Sequence, residues 1–93
     1  MISAISSAVP RRRTTLRGDV VSVMSTETPW VRIDAAISDG TGTLVLRFVG
    51  RRSVPGLRVG RRLVVDGTPG LGDGDPVMLN PVYSFISSLD DTE

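Results

Sequence analysis

Glycine, proline and aspartate cut this chain into short runs, and no run carries an apolar repeat of helical period. Valine-rich runs of roughly five to ten residues between turn signals are what a small β-sandwich or barrel requires. The expectation is an all-β fold of five strands: about Thr15–Ser25, Trp30–Ser38, Thr43–Val49, Arg62–Thr68 and Pro76–Ile86.

The second and third of these runs alternate cleanly. Val31, Ile33, Ala35 and Ile37 share one face of the second strand, with Trp30, Arg32, Asp34 and Ala36 on the other. In the third, Leu44, Leu46 and Phe48 oppose Val45, Arg47 and Val49. Asp39-Gly40-Thr41-Gly42 joins them, and an Asp-Gly pair between alternating runs signals a hairpin. Gly18 inside the first run marks a bulge or sharp bend, and Pro81, which interrupts the last, belongs at an edge or a bulge. Gly50 to Gly60, with Pro55 inside, does not read as a helix. Five strands with a bend in the first fit a five-stranded Greek-key barrel. Its expected core is Leu16, Val20, Val23, Val31, Ile33, Ile37, Leu44, Leu46, Phe48, Leu63 and Val65. Residues 1–13 read as a flexible basic arm, 14–86 as the barrel domain and 87–93 as an acidic tail.

Composition narrows the chemistry. The 93 residues include no cysteine and no histidine. No disulfide or thiolate metal site can exist, and the commonest general base and metal ligand is missing. Serines have no histidine to activate them, and no paired carboxylates sit in a hydrolytic setting. Asp73-Gly74-Asp75 supplies two carboxylates where calcium takes 6–8 oxygens, so it reads as a turn. The hairpin accounts for every residue of the Asp39–Gly42 stretch, which is no phosphate loop. The expectation is a protein without catalytic activity, cofactor or metal.

Charge is distributed unevenly. All eleven basic residues are arginines between Arg11 and Arg62, among only four acids, and the other six acids follow. A basic part followed by an acidic end suggests a polyanionic partner; a closed barrel that mixes the two on its surface is the alternative. No run is apolar enough to cross a bilayer. In Met1–Pro10 the charges follow the mildly apolar part, the reverse of a secretory signal, so the chain is expected in the cytoplasm without membrane association.

Several strings have a familiar order. Gly18-Asp19-Val20-Val21-Ser22-Val23 is followed by Ile37-Ser38-Asp39-Gly40-Thr41-Gly42-Thr43-Leu44, then Phe48, Gly56 and Gly60, Val65-Asp66-Gly67 and Asn80-Pro81. Over about residues 14–86 this resembles the anticodon-binding-type OB-fold family. That family includes the wedge domain of RecG-type helicases and small stand-alone OB-fold proteins of high-GC bacteria described as nucleic-acid-binding. The resemblance implies a binding cleft on the outer face of strands two and three and the loops beside it. On this chain that means Trp30, Arg32 and Arg47.

Each candidate has two readings. Trp30 stacks a base, or it plugs one end of the barrel. Arg47 meets a phosphate, or pairs across the strands with Asp34. Arg51, Arg52, Arg61 and Arg62 bracket one connection and form a phosphate trap, or are solvated surface. Arg11, Arg12 and Arg13 add non-specific affinity, or only solubilise the arm. Together they point to single-stranded DNA or RNA bound with little sequence preference. About four neutralised phosphates give a salt slope near ~−2.8. The alternative is a protein-interaction module or homodimer of a nucleic-acid-processing complex.

Overall fold

The computed structural model describes residues 2–70 and 74–86. Asp73 and the expected acidic tail, 87–93, lie outside them. Among the described residues, a 3-10 turn at Ile5–Ser7 is followed by seven strands: β1 (Thr14–Thr26), β2 (Arg32–Ser38), β3 (Thr43–Val49), β4 (Arg62–Gly67), β5 (Pro69–Gly70), β6 (Val77–Leu79) and β7 (Val82–Ile86). They form one sheet in the order β5-β6-β3-β2-β1-β4-β7.

The expected fifth strand is thus divided at Asn80–Pro81. Proline has no N–H for a ladder, and Asn80 turns the chain with a φ of 44°. The Asn80 N–H donates to the Arg47 carbonyl at 2.7 Å, and its Oδ1 accepts from the Val49 N–H at 2.9 Å. Before the break β6 runs parallel to β3; after it β7 runs antiparallel to β4. One broken strand therefore links both sides of the curled sheet and makes it a barrel.

β1 is long because it serves two neighbours. Thr14–Asp19 pairs with β4, and Asp19–Thr26 with β2. The register shift expected at Gly18 occurs instead between Val20 and Ser22. Gly18 answers a different need. A Cβ there would lie 3.1 Å from the Ser38 carbonyl oxygen and 3.3 Å from the Ile37 Cβ, so a side chain would push β2 away. The Asp39–Gly42 hairpin forms as expected, with Gly40 at a φ of 88°.

Alternation set the core correctly on β2 and β3: Ile33, Ala35, Ile37, Leu44, Leu46 and Phe48 are buried. Leu16, Val20, Leu63 and Val65 join them. Two expected core residues do not. Val23 is 40% exposed, because β1 outruns β4 beyond Asp19 and nothing covers its inner side there. Val31 precedes β2 and is only half-buried. Met78, Val54 and Ile5 fill the barrel instead.

Ile5 ties the expected arm to the barrel. It is 4% exposed, and its burial contributes about 2 kcal/mol. Its N–H donates to Asp39 Oδ2 at 2.8 Å, and the Ser6 N–H donates to the Thr41 hydroxyl at 3.2 Å. Ser3 bridges to Leu16, and the Arg11 N–H donates to the Pro69 carbonyl at 2.8 Å. The first residues are a strap over the hairpin end of the barrel.

Candidate functional site

The outward side chains of β1, β2, β3 and β6 fall into rows fixed by the strand register. Ser22, Ala36, Val45 and Val77 form one row; Met24, Asp34, Arg47 and Leu79 the next; Thr26, Arg32 and Val49 the last. The first two rows, apart from Leu79, line a shallow groove that Asp75 also borders. Its walls are apolar, and its centre is charged.

Asp34 organises that centre. Directly opposite it across the ladder, Arg47 donates from Nε at 2.9 Å and from Nη2 at 3.3 Å. These hydrogen bonds, against some desolvation and helped by the Asp34 charge, raise the Arg47 pKa above its usual value. Arg32 reaches the same carboxylate less well: its Nε lies 3.4 Å from Oδ2 as an ion pair but makes no hydrogen bond, although that atom is buried. One carboxylate thus serves two guanidinium groups.

Trp30 does not plug the barrel. It stands in the β1–β2 loop with 63% of its surface exposed, one residue from Val31 and two from Arg32. Arg51 and Arg52 reach the same end. The Gly50 N–H donates to the Val31 carbonyl at 2.7 Å, and the positive φ of Gly50, 82°, turns the chain back over this end. Arg51, Arg52 and Arg32 then line one pocket with Ser25, Thr26 and Glu27, and Arg52 forms an ion pair with Glu27.

The other half of the expected four-arginine cluster lies elsewhere. Arg61 packs its guanidinium over the Phe85 ring, 4.4 Å from the centroid, and donates to the Gly56 carbonyl at 3.3 Å. Arg62 donates from Nε to Asp19 Oδ1 at 2.7 Å. The Arg61 carbonyl accepts from the Val20 N–H, whereas Gly50 is tied to Val31. At about 3.3 Å per residue, the six steps along β1 from Val20 to Thr26 separate the two arginine pairs by ~20 Å. Arg11, Arg12 and Arg13 also lie apart from the face, beside β4 and β5. Arg13 pairs with Asp66 at 2.5 Å, and this bond, with that of the Thr15 hydroxyl, lowers the Asp66 pKa. Sequence reading missed the apolar walls Met24 and Val77, and the exposed Leu79 beside Arg47. Val77 and Leu79 were invisible because β6 joins β3 from thirty residues away.

Among the described residues no group of three or more metal-ligating side chains forms, and no helix is long and apolar enough to cross a membrane.

No family model matches the chain, and no curated protein does. Solved structures do. A replication factor A related protein from Methanobacterium thermoautotrophicum aligns with 95% of this chain and 93% of its own, with a TM-score of 0.69 at 17% identity. RecG bound to a three-way DNA junction aligns with 90% of this chain, with a TM-score of 0.77 at 20% identity. Here the chain spans 12% of the RecG chain. The fold is the OB-fold. In OB-folds the face of the second and third strands and the flanking loops are the usual place for oligonucleotides and oligosaccharides. In this OB-fold that face carries Arg32, Asp34 and Arg47, with Trp30, Arg51 and Arg52 at one end.

Proposed function

We propose that this protein binds single-stranded nucleic acid without catalysis and with little sequence preference, along the outer face of β2 and β3 toward the β1–β2 loop. The observation that carries this reading is the gathering of Arg32, Arg51 and Arg52 in one pocket at the end of the outer face of β2 and β3 in an OB-fold, with Arg47 in the next row of that face and the exposed Trp30 two residues from Arg32. Guanidinium groups hold backbone phosphates, and Trp30 offers a base a stacking surface worth about 1–3 kcal/mol. The two carboxylates tied up in this cluster, Asp34 and Glu27, halve its charge. Two net charges on the face give a salt slope nearer ~−1.4 than the ~−2.8 of four free arginines.

A second reading, a protein-docking or self-association face, is favoured by Met24 and Leu79, which are 67% and 61% exposed on the same surface. Salt separates the two. A mixed-sequence single-stranded oligonucleotide is titrated at low salt, following Trp30 emission and the anisotropy of a label on the oligonucleotide. Quenching with rising anisotropy, both reversed by salt, supports the nucleic-acid reading. No change at micromolar protein overturns it, and salt-tolerant, concentration-dependent self-association then favours the second.

A further inference from the structure

We infer that the pocket between the β1–β2 loop and the end of β3 seats a phosphomonoester, the terminal phosphate of a nucleic-acid strand; the inference rests on the reading that this face binds nucleic acid. Three guanidinium groups, from Arg32, Arg51 and Arg52, and the hydroxyl residues Ser25 and Thr26 line the pocket, against the single carboxylate of Glu27. Its formal charge is therefore about +2. An internal phosphodiester brings one negative charge, whereas a terminal phosphate carries about −1.5 to −2 at neutral pH with three acceptor oxygens.

Arg52 is paired with Glu27, but other donors in this pocket are unmet. The Arg32 Nε is buried and makes no hydrogen bond, Asp34 being engaged bidentately by Arg47. Among the described residues Arg51 and the hydroxyls of Ser25 and Thr26 have no partner. Guanidinium forks suit phosphate oxygens, and bonds between charged partners are about twice as strong as neutral ones. The second basic pocket of the molecule makes the contrast. There Arg17 and Arg62 stand with Asp19 and Asp39, so the charges cancel. Of these two pockets, the first has both the surplus charge and the free donors that a dianion needs.

The test uses one short single strand with an internal label in three forms: 5′-phosphorylated, 3′-phosphorylated, and with hydroxyls at both ends. Anisotropy is read at low salt. One phosphorylated form is expected to bind about fivefold or more tighter than the hydroxyl form, and which form it is identifies the end. Inorganic phosphate, at constant ionic strength, should erase that preference. Arg51→Gln should erase it too, while Arg58→Gln should keep it, because Arg58 is exposed and lies outside the pocket. Equal binding of all three forms overturns the end seat and leaves general nucleic-acid binding standing. A preference that survives in Arg51→Gln overturns its location. If no form binds, the proposed function itself falls.

Discussion

Replacing Asp34 by asparagine should tighten nucleic-acid binding, which is unusual for a change that breaks two ion pairs. Asp34 holds Arg47 at 2.9 Å and Arg32 at 3.4 Å, so its charge cancels one of theirs where a phosphate would lie. A phosphate seated on these arginines sits about 6 Å from the carboxylate. Removing one unit of repulsion at that range, with an effective dielectric between half-solvated and bulk water, is worth about 0.7–1.4 kcal/mol. That is roughly three- to tenfold in affinity at low salt. The salt dependence should steepen by ~0.7, since one more guanidinium is free to release a counterion. Between about 50 and 200 mM salt the variant should therefore lose about 2.5-fold more affinity than the parent. The asparagine keeps one acceptor for Arg47, so the stability loss should stay near ~1 kcal/mol, measured by urea unfolding. Fluorescence anisotropy across a salt series checks both quantities. If Asp34→Asn binds no tighter and keeps the parental slope, the strand does not lie over β2 and β3, and the charges of this face have another use.

Trp30→Ala should weaken oligonucleotide binding by about 1–3 kcal/mol, measured by anisotropy, while shifting stability by no more than ~0.5 kcal/mol, because the ring is largely exposed. Gly18→Ala should cost about 1–3 kcal/mol in urea unfolding, since the new methyl meets the Ser38 carbonyl and the Ile37 side chain at 3.1 and 3.3 Å. For the strap, desolvation alone would raise Asp39, but bonds from the Thr41 hydroxyl and the Ile5, Thr41 and Gly42 N–H groups outweigh it and hold its pKa at about 2. A depressed carboxylate stabilises the folded state fully above its unfolded value near ~3.9 and loses that contribution as pH falls toward 2. Hydrogen exchange at the Ile5 amide should accordingly lose protection between about pH 4 and 2 in the parent, and should be already low and insensitive to pH in Asp39→Ala once intrinsic exchange is subtracted.

What could be read from the sequence follows the reach of each signal. A period of two settles which side chains of β2 and β3 face inward, and once those strands form a hairpin it also places Asp34 opposite Arg47. The break at Pro81 was legible because proline cannot donate to a ladder. Its consequence was not: β6 pairs with β3 in parallel, and no local pattern says which distant strand receives Val77–Leu79. Burial of Met78 and Ile5 was hidden for the same reason, both being settled by long-range packing. Val23 failed in the opposite direction. Its alternation was right, but alternation cannot tell where a neighbouring strand ends. The arginine pairs misled because they bracket one connection, which suggested convergence. The two glycines are anchored at Val31 and Val20, and so the pairs part.

That parting sets the character of the surface. Four arginines at one spot would grip any phosphate backbone strongly and without discrimination. With Arg61 stacked on Phe85, Arg62 joined to Asp19, and Asp34 and Glu27 set among the rest, the face keeps about two net charges and one exposed aromatic ring. On the proposed reading, affinity for an internal stretch of strand would be modest, and its fall with salt shallower than four free arginines would give. The unmet donors instead cluster where Arg32, Arg51 and the hydroxyls of Ser25 and Thr26 meet. If the face binds a strand as proposed, selectivity would come from the place where charge and free donors coincide rather than from the length of strand covered.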